Sequence, residues 1–480
     1  MNPQPPGNAS PQAADLARME SIFARQREAY ARSPMPSLAE RKRHLAALRA
    51  LLIDHTDAIA EAISADFTAR SVDDTLLGEI IPSVHSIDYS QKRLRRWMKP
   101  SPRSVGLNFL PARARVVYQP LGVVGIMVPF NYPVNLAVVP LVAALAAGNR
   151  TMIKMSEHTP RTAALMGEML RKYFEEDHVA VVTGEADIAA AFSKLPFDHL
   201  LFTGSIPVGK HVMRAAADNL TPVTLELGGK SPAIIADDIP LEDIIDRLCF
   251  AKSLNAGQTC VAPDYVLIPR GKLEPFMQLY KATFRKMFPT INGNPDYTSV
   301  VNARSHQRLQ DWLKDAAEKG ARIEKVSDET IADGTFRMPL HLVTEVTDEM
   351  KIMREELFGP ILPVVPYDSI EEALAYVKRR PRPLALYLFT YDPALQDLVT
   401  DNTHAGSMCI NEALIQVAVD DMPFGGIGPS GMGHYHSHEG FLTMSKAKSI
   451  LSKGRLNSMK FMYPPYGGTI QKWMLKWLAH

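Results

Sequence analysis

The sequence predicts an α/β protein with two domains, each built on a mostly parallel sheet covered by helices. The chain has 480 residues, 46% of them hydrophobic and 22% charged, so it is long enough for more than one packed core. Patterns typical of buried strands alternate with helical ones in the first region, where the strand patterns are residues 123–128, 151–154, 179–182, 199–203 and 223–226. A second alternating region runs from residue 233 to about residue 417.

The other elements follow in chain order. Residues 1–15 are polar and rich in proline, without the features of a signal peptide, and we predict that they are disordered. Apolar residues at helical spacing predict a helical lead-in over residues 16–97. Glycine-rich residues 423–433 predict a shaped loop. Residues 470–477 form a short amphipathic stretch, which we expect to pack on a partner subunit or on the chain's own core rather than on lipid.

Composition excludes several classes of protein. Fifty-three basic and 52 acidic side chains give a net charge of +1, so no global field favours nucleic acid. The three cysteines have no spacing typical of a disulfide framework or a zinc site, so we predict no bound metal and a reducing, cytoplasmic location. The apolar stretch 134–148 contains Asn135 and Pro140 and is too short for a membrane span.

Cys260 and Glu226 are the candidate reactive residues. Cys260 ends the run 254–260, whose polar and small residues would let a reactant reach the thiol. A cysteine buried in the core does not need such access. Glu226 lies inside the strand-like run 223–227, where an ionisable side chain is costly to bury without a role. A thiolate attacks carbonyls, and a nearby carboxylate can activate water. The alternatives are a buried thiol that acts as a small hydrophobe and a glutamate satisfied by a helix or turn.

Two further segments are compatible with a dinucleotide. Residues 202–210 follow a strand and open a helix, where backbone N–H groups and the helix dipole attract phosphate. They lack the full GxGxxG pattern, so an ordinary glycine turn remains the alternative. Lys154–Glu157, after another strand, could place a carboxylate on ribose hydroxyls or could cap a helix.

Six motifs occurring in order resemble the aldehyde dehydrogenase superfamily. They are residues 129–133, 154–157, 202–209, 225–230, 255–260 and 355–360, and the resemblance covers about residue 41 to about residue 448. The ending 422–436 is similar to the class 3 branch, and the overall likeness is greatest to bacterial coniferyl aldehyde dehydrogenases. The resemblance implies a Rossmann-like NAD-binding domain, a second α/β catalytic domain and a small β oligomerisation arm.

The resemblance also implies the reaction. Cys260 would attack the aldehyde carbon, and the Asn131 side-chain amide and the Cys260 backbone N–H would hold the oxyanion. Hydride transfer to the cofactor would leave a thioester, and Glu226 would activate the water that releases the acid. His436 could approach the site across the terminal loop, although a structural histidine is the expected reading.

The expected cofactor is NAD, because Glu157 would repel a 2′-phosphate, but class 3 relatives with this glutamate can also use NADP. Met155 replaces the usual proline, and Phe130 replaces the usual tryptophan. The implied cofactor-binding residues are Lys154 and Glu157 near the adenosine ribose, Gly204, Ser205 and Gly209 at the pyrophosphate turn, Glu356 and Phe358 at the nicotinamide ribose and ring, and Leu227.

The implied organisation has an NAD-binding domain over 16–227, with part of the oligomerisation arm near 107–119, and a catalytic domain over 228–417. Residues 418–450 complete the loop and arm, and 451–480 form a tail. Class 3 relatives are homodimers, so we expect a homodimer.

The substrate stays open between coniferyl aldehyde and a broad range of aromatic or medium-chain aliphatic aldehydes. A coenzyme A-acylating dehydrogenase, an inert structural relative and a cofactor-free cysteine hydrolase are the rival functions. Glu226 argues against the first, the intact set of Cys260, Glu226 and Asn131 against the second, and the lack of a histidine in either motif against the third.

Overall fold

The fold was analysed in a computed structural model, which describes residues 11–106, 109–457 and 459–479. Its first layer is helical, as the apolar spacing predicts. Residues 1–10 lie outside the described residues, and the first helix begins at Pro11, so the expectation of disorder up to residue 15 is wrong for residues 11–15. The helices are α1 (Pro11–Arg32), α2 (Leu38–Asp54), α3 (Thr56–Asp66), α4 (Val72–Thr75) and α5 (Ile81–Trp97), with a π-helical turn at Leu76–Ile80.

Tertiary packing explains the early start of α1. Met19, Ile22 and Phe23 are buried against the strands of the first large sheet, and Leu16 packs at the edge of the same cluster. The Gln26 side chain also donates to the Thr151 carbonyl at 3.1 Å. Local composition does not register these contacts, because they come from residues more than 100 positions away along the chain.

The first large sheet has the strand order of a dinucleotide-binding fold. Strands β3 to β7 are parallel in the spatial order β7-β6-β3-β4-β5, and β15 pairs antiparallel with β7. The strands are β3 (Val123–Met127), β4 (Arg150–Lys154), β5 (Val179–Val182), β6 (His199–Gly204), β7 (Val223–Leu227) and β15 (Gly431–Met432), joined through α6 (Asn135–Ala147), α7 (Pro160–Tyr173), α8 (Ala186–Ser193) and α9 (Ile206–Ala217).

The strand order reverses between β3 and β6, which lie side by side. In open α/β sheets, ligands bind beyond the carboxyl ends of the strands at such a reversal, because the loops there diverge and leave a crevice. Asn131 follows β3, and Ser205 follows β6. The topology therefore directs both predicted motifs to one crevice.

The second large sheet has seven strands in the order β10-β11-β12-β9-β8-β13-β14, parallel except for β10. The chain passes from the first sheet to the second between Leu227 and Pro232. The strands are β8 (Pro232–Ile235), β9 (Tyr265–Pro269), β10 (Arg322–Lys325), β11 (His341–Thr344), β12 (Ile361–Tyr367), β13 (Ala385–Phe389) and β14 (Ser407–Ile410), with helices α10 (Ile245–Ser253), α11 (Leu273–Met287), α12 (Ala303–Glu318), α13 (Lys351–Arg354), α14 (Ile370–Lys378) and α15 (Pro393–Asn402).

A three-stranded antiparallel sheet joins distant parts of the chain. It contains β1 (Ser101–Arg103), β2 (Arg113–Pro120) and β16 (Ser445–Ser452), with β2 in the centre. The arm predicted near 107–119 and 435–450 corresponds to β2 and β16, and residues 107 and 108 lie outside the described residues. The remaining helices are α16 (Ser437–Thr443) and α17 (Thr469–Leu478).

A buried ion pair fixes the entry to α6. The Glu79 carboxylate accepts from the backbone N–H groups of Val134 and Asn135 at 3.0 and 2.6 Å, which are donors that the helix itself leaves free. The Arg70 guanidinium lies 3.4 Å from the same carboxylate, and neither side chain is exposed. Arg70 also donates to the Asn131 carbonyl at 2.7 Å, so this pair positions the loop that carries Asn131.

We predict that Arg70→Met destabilises the fold by about 3 kcal/mol, because it leaves the buried Glu79 carboxylate without its cation. Urea unfolding measures the change. The matched control is Arg49→Met, which breaks the partly exposed Arg49–Asp88 pair at 2.9 Å and should cost less than about 1 kcal/mol. Equal losses for the two variants would contradict the role given to Arg70.

Candidate active site

The loop before Cys260 has an unusual backbone. α10 ends at Ser253, and the 3-10 turn Leu254–Gly257 then takes positive φ values of 52° at Asn255, 51° at Ala256 and 73° at Gly257. A Cβ on Gly257 would lie 2.7 Å from the Gly359 carbonyl oxygen, so only glycine fits there. Left-handed non-glycine residues cost energy, and they persist where surrounding contacts fix them.

Gln258 supplies those contacts. Its side-chain amide donates to the carbonyls of Asn255 and Ser299, both at 3.0 Å, and its oxygen accepts from the Val301 N–H at 2.9 Å. This buried side chain therefore holds the loop to the segment that precedes α12. From the sequence, Gln258 is expected only to make the surroundings of the cysteine polar, whereas in the structure it bonds internally to the backbone.

Asn131 connects the β3 loop to the cysteine loop. Its Nδ2 donates to the Gln258 carbonyl at 3.1 Å, and its own carbonyl accepts from the Asn255 amide at 3.0 Å. The neighbouring Tyr132 hydroxyl bonds to the Thr259 hydroxyl at 2.7 Å. An amide nitrogen carries two hydrogens, so the Asn131 side chain keeps one hydrogen that can donate to another group. The carbonyl to which it already donates belongs to Gln258, two residues before Cys260.

Cys260 lies in an electrostatically negative pocket. Burial, together with the carboxyl groups of Glu356 and Glu226, raises the pKa of its thiol to about 12, while backbone N–H groups of Cys260 and Val261 oppose the shift. Cys260 remains partly exposed, whereas Cys249 is fully buried. The structure thus brings the two predicted reactive residues, Cys260 and Glu226, into electrostatic contact.

Glu226 is a buried carboxyl on β7. It is 3% exposed, and neither of its oxygens has a hydrogen-bond partner among the described residues. Burial raises the pKa of Glu226 well above its usual value. A glutamate held in a helix or turn by hydrogen bonds, the alternative raised from the sequence, does not describe this arrangement. A carboxyl with raised pKa and free oxygens is suited to exchange a proton with water.

Glu356 occupies the space that Gly228 leaves open. A Cβ on Gly228 would lie 1.8 Å from Glu356 Oε2, so this close approach requires glycine. Burial and the Asp264 carboxylate raise the pKa of Glu356 to about 8, and a hydrogen bond from the Gly229 backbone lowers it. Asp264 itself pairs with Lys230 and accepts from the Leu357 N–H at 2.9 Å.

Phe358 and Phe130 close the same crevice. Phe358 has a φ of 47°, and its ring meets the Phe130 ring edge to face, with centroids 5.7 Å apart. Phe130 also lies 5.9 Å from the His158 ring. The phenylalanine that replaces the family's usual tryptophan therefore forms an aromatic contact between the β3 loop and the segment before β12.

The turn after β6 has the geometry of a phosphate site. Ser205 precedes α9 and makes no side-chain hydrogen bond to its first turn, so the N-terminal N–H groups of this helix are open to an anion. Gly209 allows α9 to pack on β7, because a Cβ there would lie 2.6 Å from Leu227 Cδ2. Gly204 ends β6 beside the strand reversal. These residues fit a dinucleotide pyrophosphate.

Lys154 and Glu157 lie at and just after the end of β4, the strand that pairs with β3. The Lys154 ammonium is 2% exposed and donates to the carbonyls of Met155 and Gly184, both at 2.7 Å. Burial lowers the pKa of Lys154. Glu157 is partly exposed three residues later and is free to accept from ribose hydroxyls.

Sequence reasoning missed Tyr435. Its ring is 2% exposed, and burial together with the charges of Glu226 and Cys260 raises the pKa of its hydroxyl well above the usual value, so the phenol lies close to both reactive groups. His436 stacks on Phe424 with centroids 4.9 Å apart, and burial lowers its pKa to about 4. The one available signal was the position of both residues directly after the glycine-rich loop.

The sequence pattern of the Aldehyde dehydrogenase family matches residues 8–450. The chain belongs to this family. This aldehyde dehydrogenase is 58% identical over 463 residues to a protein of Pseudomonas aeruginosa named "Probable coniferyl aldehyde dehydrogenase", with 96% of each chain covered.

Two solved structures of the family are similar to this aldehyde dehydrogenase. A substrate-bound AldH of Staphylococcus aureus superimposes with a TM-score of 0.91 at 34% identity, over 96% of this chain and 99% of the other. A Mycobacterium tuberculosis aldehyde dehydrogenase in complex with NAD+ gives a TM-score of 0.83 at 28% identity, over 92% and 91% of the two chains.

We predict that Glu356→Gln accelerates alkylation of Cys260 by iodoacetamide at pH 8 severalfold. The substitution removes a charge that raises the pKa of the thiol, and the thiolate is the species that reacts. Peptide mass spectrometry of Cys260 measures the rate, with Glu355→Gln, an exposed neighbour, as the matched control. An unchanged rate in Glu356→Gln would contradict the electrostatic coupling.

Proposed function

We propose that this aldehyde dehydrogenase oxidises coniferyl aldehyde to ferulate, with NAD as the preferred cofactor. The observation that carries the substrate is the 58% identity to the Pseudomonas aeruginosa protein over 96% of both chains. The mutual placement of Cys260, Glu226 and Asn131 supports the chemistry. A dehydrogenase of broader range, acting on aromatic or medium-chain aliphatic aldehydes, is the second candidate.

In the first half of the proposed reaction, the Cys260 thiol releases its proton to water, the sulfur bonds to the aldehyde carbon, and the electron pair of the C=O double bond moves to the oxygen. The second Nδ2 hydrogen of Asn131 and the Cys260 backbone N–H then donate to the oxyanion. Hydrogen bonds to Gln258 and Asn255 hold the Asn131 loop in place before the substrate arrives. Such preorganised donors stabilise developing charge without reorganisation.

A bound nicotinamide cofactor would supply the acceptor for the hydride that leaves the carbon bonded to Cys260. On the protein side, Glu356 and Phe358 would hold the ring and its ribose beside Cys260. The N-terminus of α9, with Gly204 and Ser205, would hold the pyrophosphate. The crevice at the strand reversal and the tight Gly209–Leu227 contact support this assignment.

The second half of the reaction releases the acid. Glu226 takes a proton from water, the water oxygen bonds to the thioester carbon, and the Cys260 sulfur leaves. The raised pKa of Glu226 makes it a stronger base than an ordinary carboxylate once it is ionised. This carboxyl also argues against a coenzyme A-acylating enzyme, which has no use for activated water.

Glu157 supports NAD over NADP, because its carboxylate would repel a 2′-phosphate and accept from ribose hydroxyls. The Lys154 ammonium already donates to two backbone carbonyls, which reduces what it can donate to such a phosphate. The homodimer and the cytoplasmic location stay predictions from the resemblance and the composition.

The test of the proposed function is NADH formation from coniferyl aldehyde and from hexanal, without coenzyme A, with NAD and NADP in parallel. We expect a higher kcat/KM for coniferyl aldehyde and for NAD, and loss of turnover in Cys260→Ala. Preference for hexanal would retain the mechanism and reject the substrate. No reduced cofactor with any aldehyde would reject both.

We predict that Glu226→Gln forms about one equivalent of NADH per active site and then turns over at least about a hundredfold more slowly. The amide cannot activate water, so the thioester accumulates.

In wild type, the deacylation rate should rise with pH until Glu226 ionises, because only the carboxylate accepts a proton, and Glu226→Gln should lose this dependence. Rapid mixing that follows NADH measures the first equivalent and the later turnover. A steady-state rate in Glu226→Gln equal to that of wild type would exclude the role of Glu226 in activating water.

A further inference from the structure

The C-terminal helix α17 leaves its large apolar side chains in solvent. Ile470, Trp473 and Trp477 are 71%, 68% and 61% exposed. They lie at i, i+3 and i+7, and therefore form one stripe along the helix. Exposed tryptophans of this number are unusual, because a water-exposed indole gains free energy by leaving water. The expectation that the helix packs on the chain's own core is therefore wrong for this stripe.

α17 contacts the segment just before it, which includes the 3-10 turn Lys460–Met462. Gln471 is only 6% exposed and accepts from the Gly467 N–H at 2.8 Å, and Met474 is partly buried. Lys472 and Lys476 are exposed and lie one turn apart beside the apolar stripe. The helix thus presents a stripe of tryptophan and isoleucine flanked by two ammonium groups.

The charge around α17 has one sign. Residues 451–480 contain five basic residues and no aspartate or glutamate, whereas the whole chain has 53 basic and 52 acidic residues. The basic residues are Lys453, Arg455, Lys460, Lys472 and Lys476, and all five are exposed. Exposed apolar residues, Leu456, Tyr463 and Tyr466, accompany them. The complement of this surface is apolar and carries negative charge.

We propose that the 451–479 segment docks on the surface of an anionic lipid membrane. Tryptophan rings lie at the boundary between headgroups and acyl chains, and lysine side chains reach from that boundary to the phosphates. The exposed Lys472 and Lys476 lie to one side of the apolar stripe on this short helix. Each exposed cation also adds attraction to an anionic leaflet.

The docking is peripheral. α17 has ten residues, and no helix within 11–106, 109–457 and 459–479 is long and apolar enough to cross a membrane. A helix of this length lies in the plane of the interface with its apolar stripe inserted. The bound enzyme would then sit beside the membrane with its active site outside the lipid.

The experiment is co-sedimentation of the full chain with vesicles of phosphatidylcholine alone or mixed with phosphatidylglycerol. We expect binding to the anionic vesicles that weakens at high salt, together with a blue shift of tryptophan fluorescence. Two of the four tryptophans, Trp97 and Trp312, are buried or partly buried, so the shift reports on Trp473 and Trp477.

Trp473→Ser with Trp477→Ser, and separately Lys472→Glu with Lys476→Glu, should each lower the partition coefficient at least about tenfold. Lys194→Glu with Lys314→Glu changes the net charge equally at exposed sites elsewhere and is the matched control. Aldehyde oxidation by every variant checks that the fold is intact.

Three results would overturn the proposal. The first is no binding to anionic vesicles, and the second is an equal loss of binding in the control variant. The third is a tryptophan variant whose mass in solution, measured by light scattering, is lower than that of wild type, when wild type does not bind vesicles. That result would assign the stripe to a second copy of the chain.

Discussion

The hydrogen bonds between the Asn131 loop and the cysteine loop unite the two halves of the candidate site. Asn131 belongs to the first sheet, and Gln258 and Asn255 precede the thiol beside the second sheet. Two bonds of 3.0 and 3.1 Å join them, and the Tyr132–Thr259 contact adds a third. Without these bonds, the proposed oxyanion donor and the proposed nucleophile, which lie on loops of different domains, would have no fixed separation.

Buried charged side chains also position the two loops. The Arg70–Glu79 pair satisfies the N-terminus of α6 and the Asn131 carbonyl, so a polar cluster with no exposed side chain determines where the loop after β3 ends. Lys230, Asp264 and the backbone of Leu357 form a corresponding cluster on the other side of the site. Such groups are costly to bury singly, and that cost selects one arrangement of the loops.

The same burial sets the chemistry. Burial raises the pKa values of Cys260, Glu226 and Glu356, and acidic neighbours contribute to the shifts of Cys260 and Glu356. These shifts favour the uncharged thiol and carboxyl groups over their ionised forms. Entry of a cofactor and substrate changes both the solvation and the neighbouring charges. In the resting site, burial and nearby charge therefore disfavour the reactive thiolate and carboxylate, and bound ligands would change both conditions.

The sequence by itself determined the α/β class, the positions of most strands, the family and the choice of Cys260, Glu226 and the cofactor turn, because periodicity and short motifs are local properties. Only the tertiary structure decided the strand order, the return of β15 to β7, the start of α1 at Pro11 and the nearness of Tyr435 to Glu226. Likewise, only solvent exposure separated α17 from an ordinary core helix. These features depend on contacts between residues far apart in the chain, which no local pattern encodes.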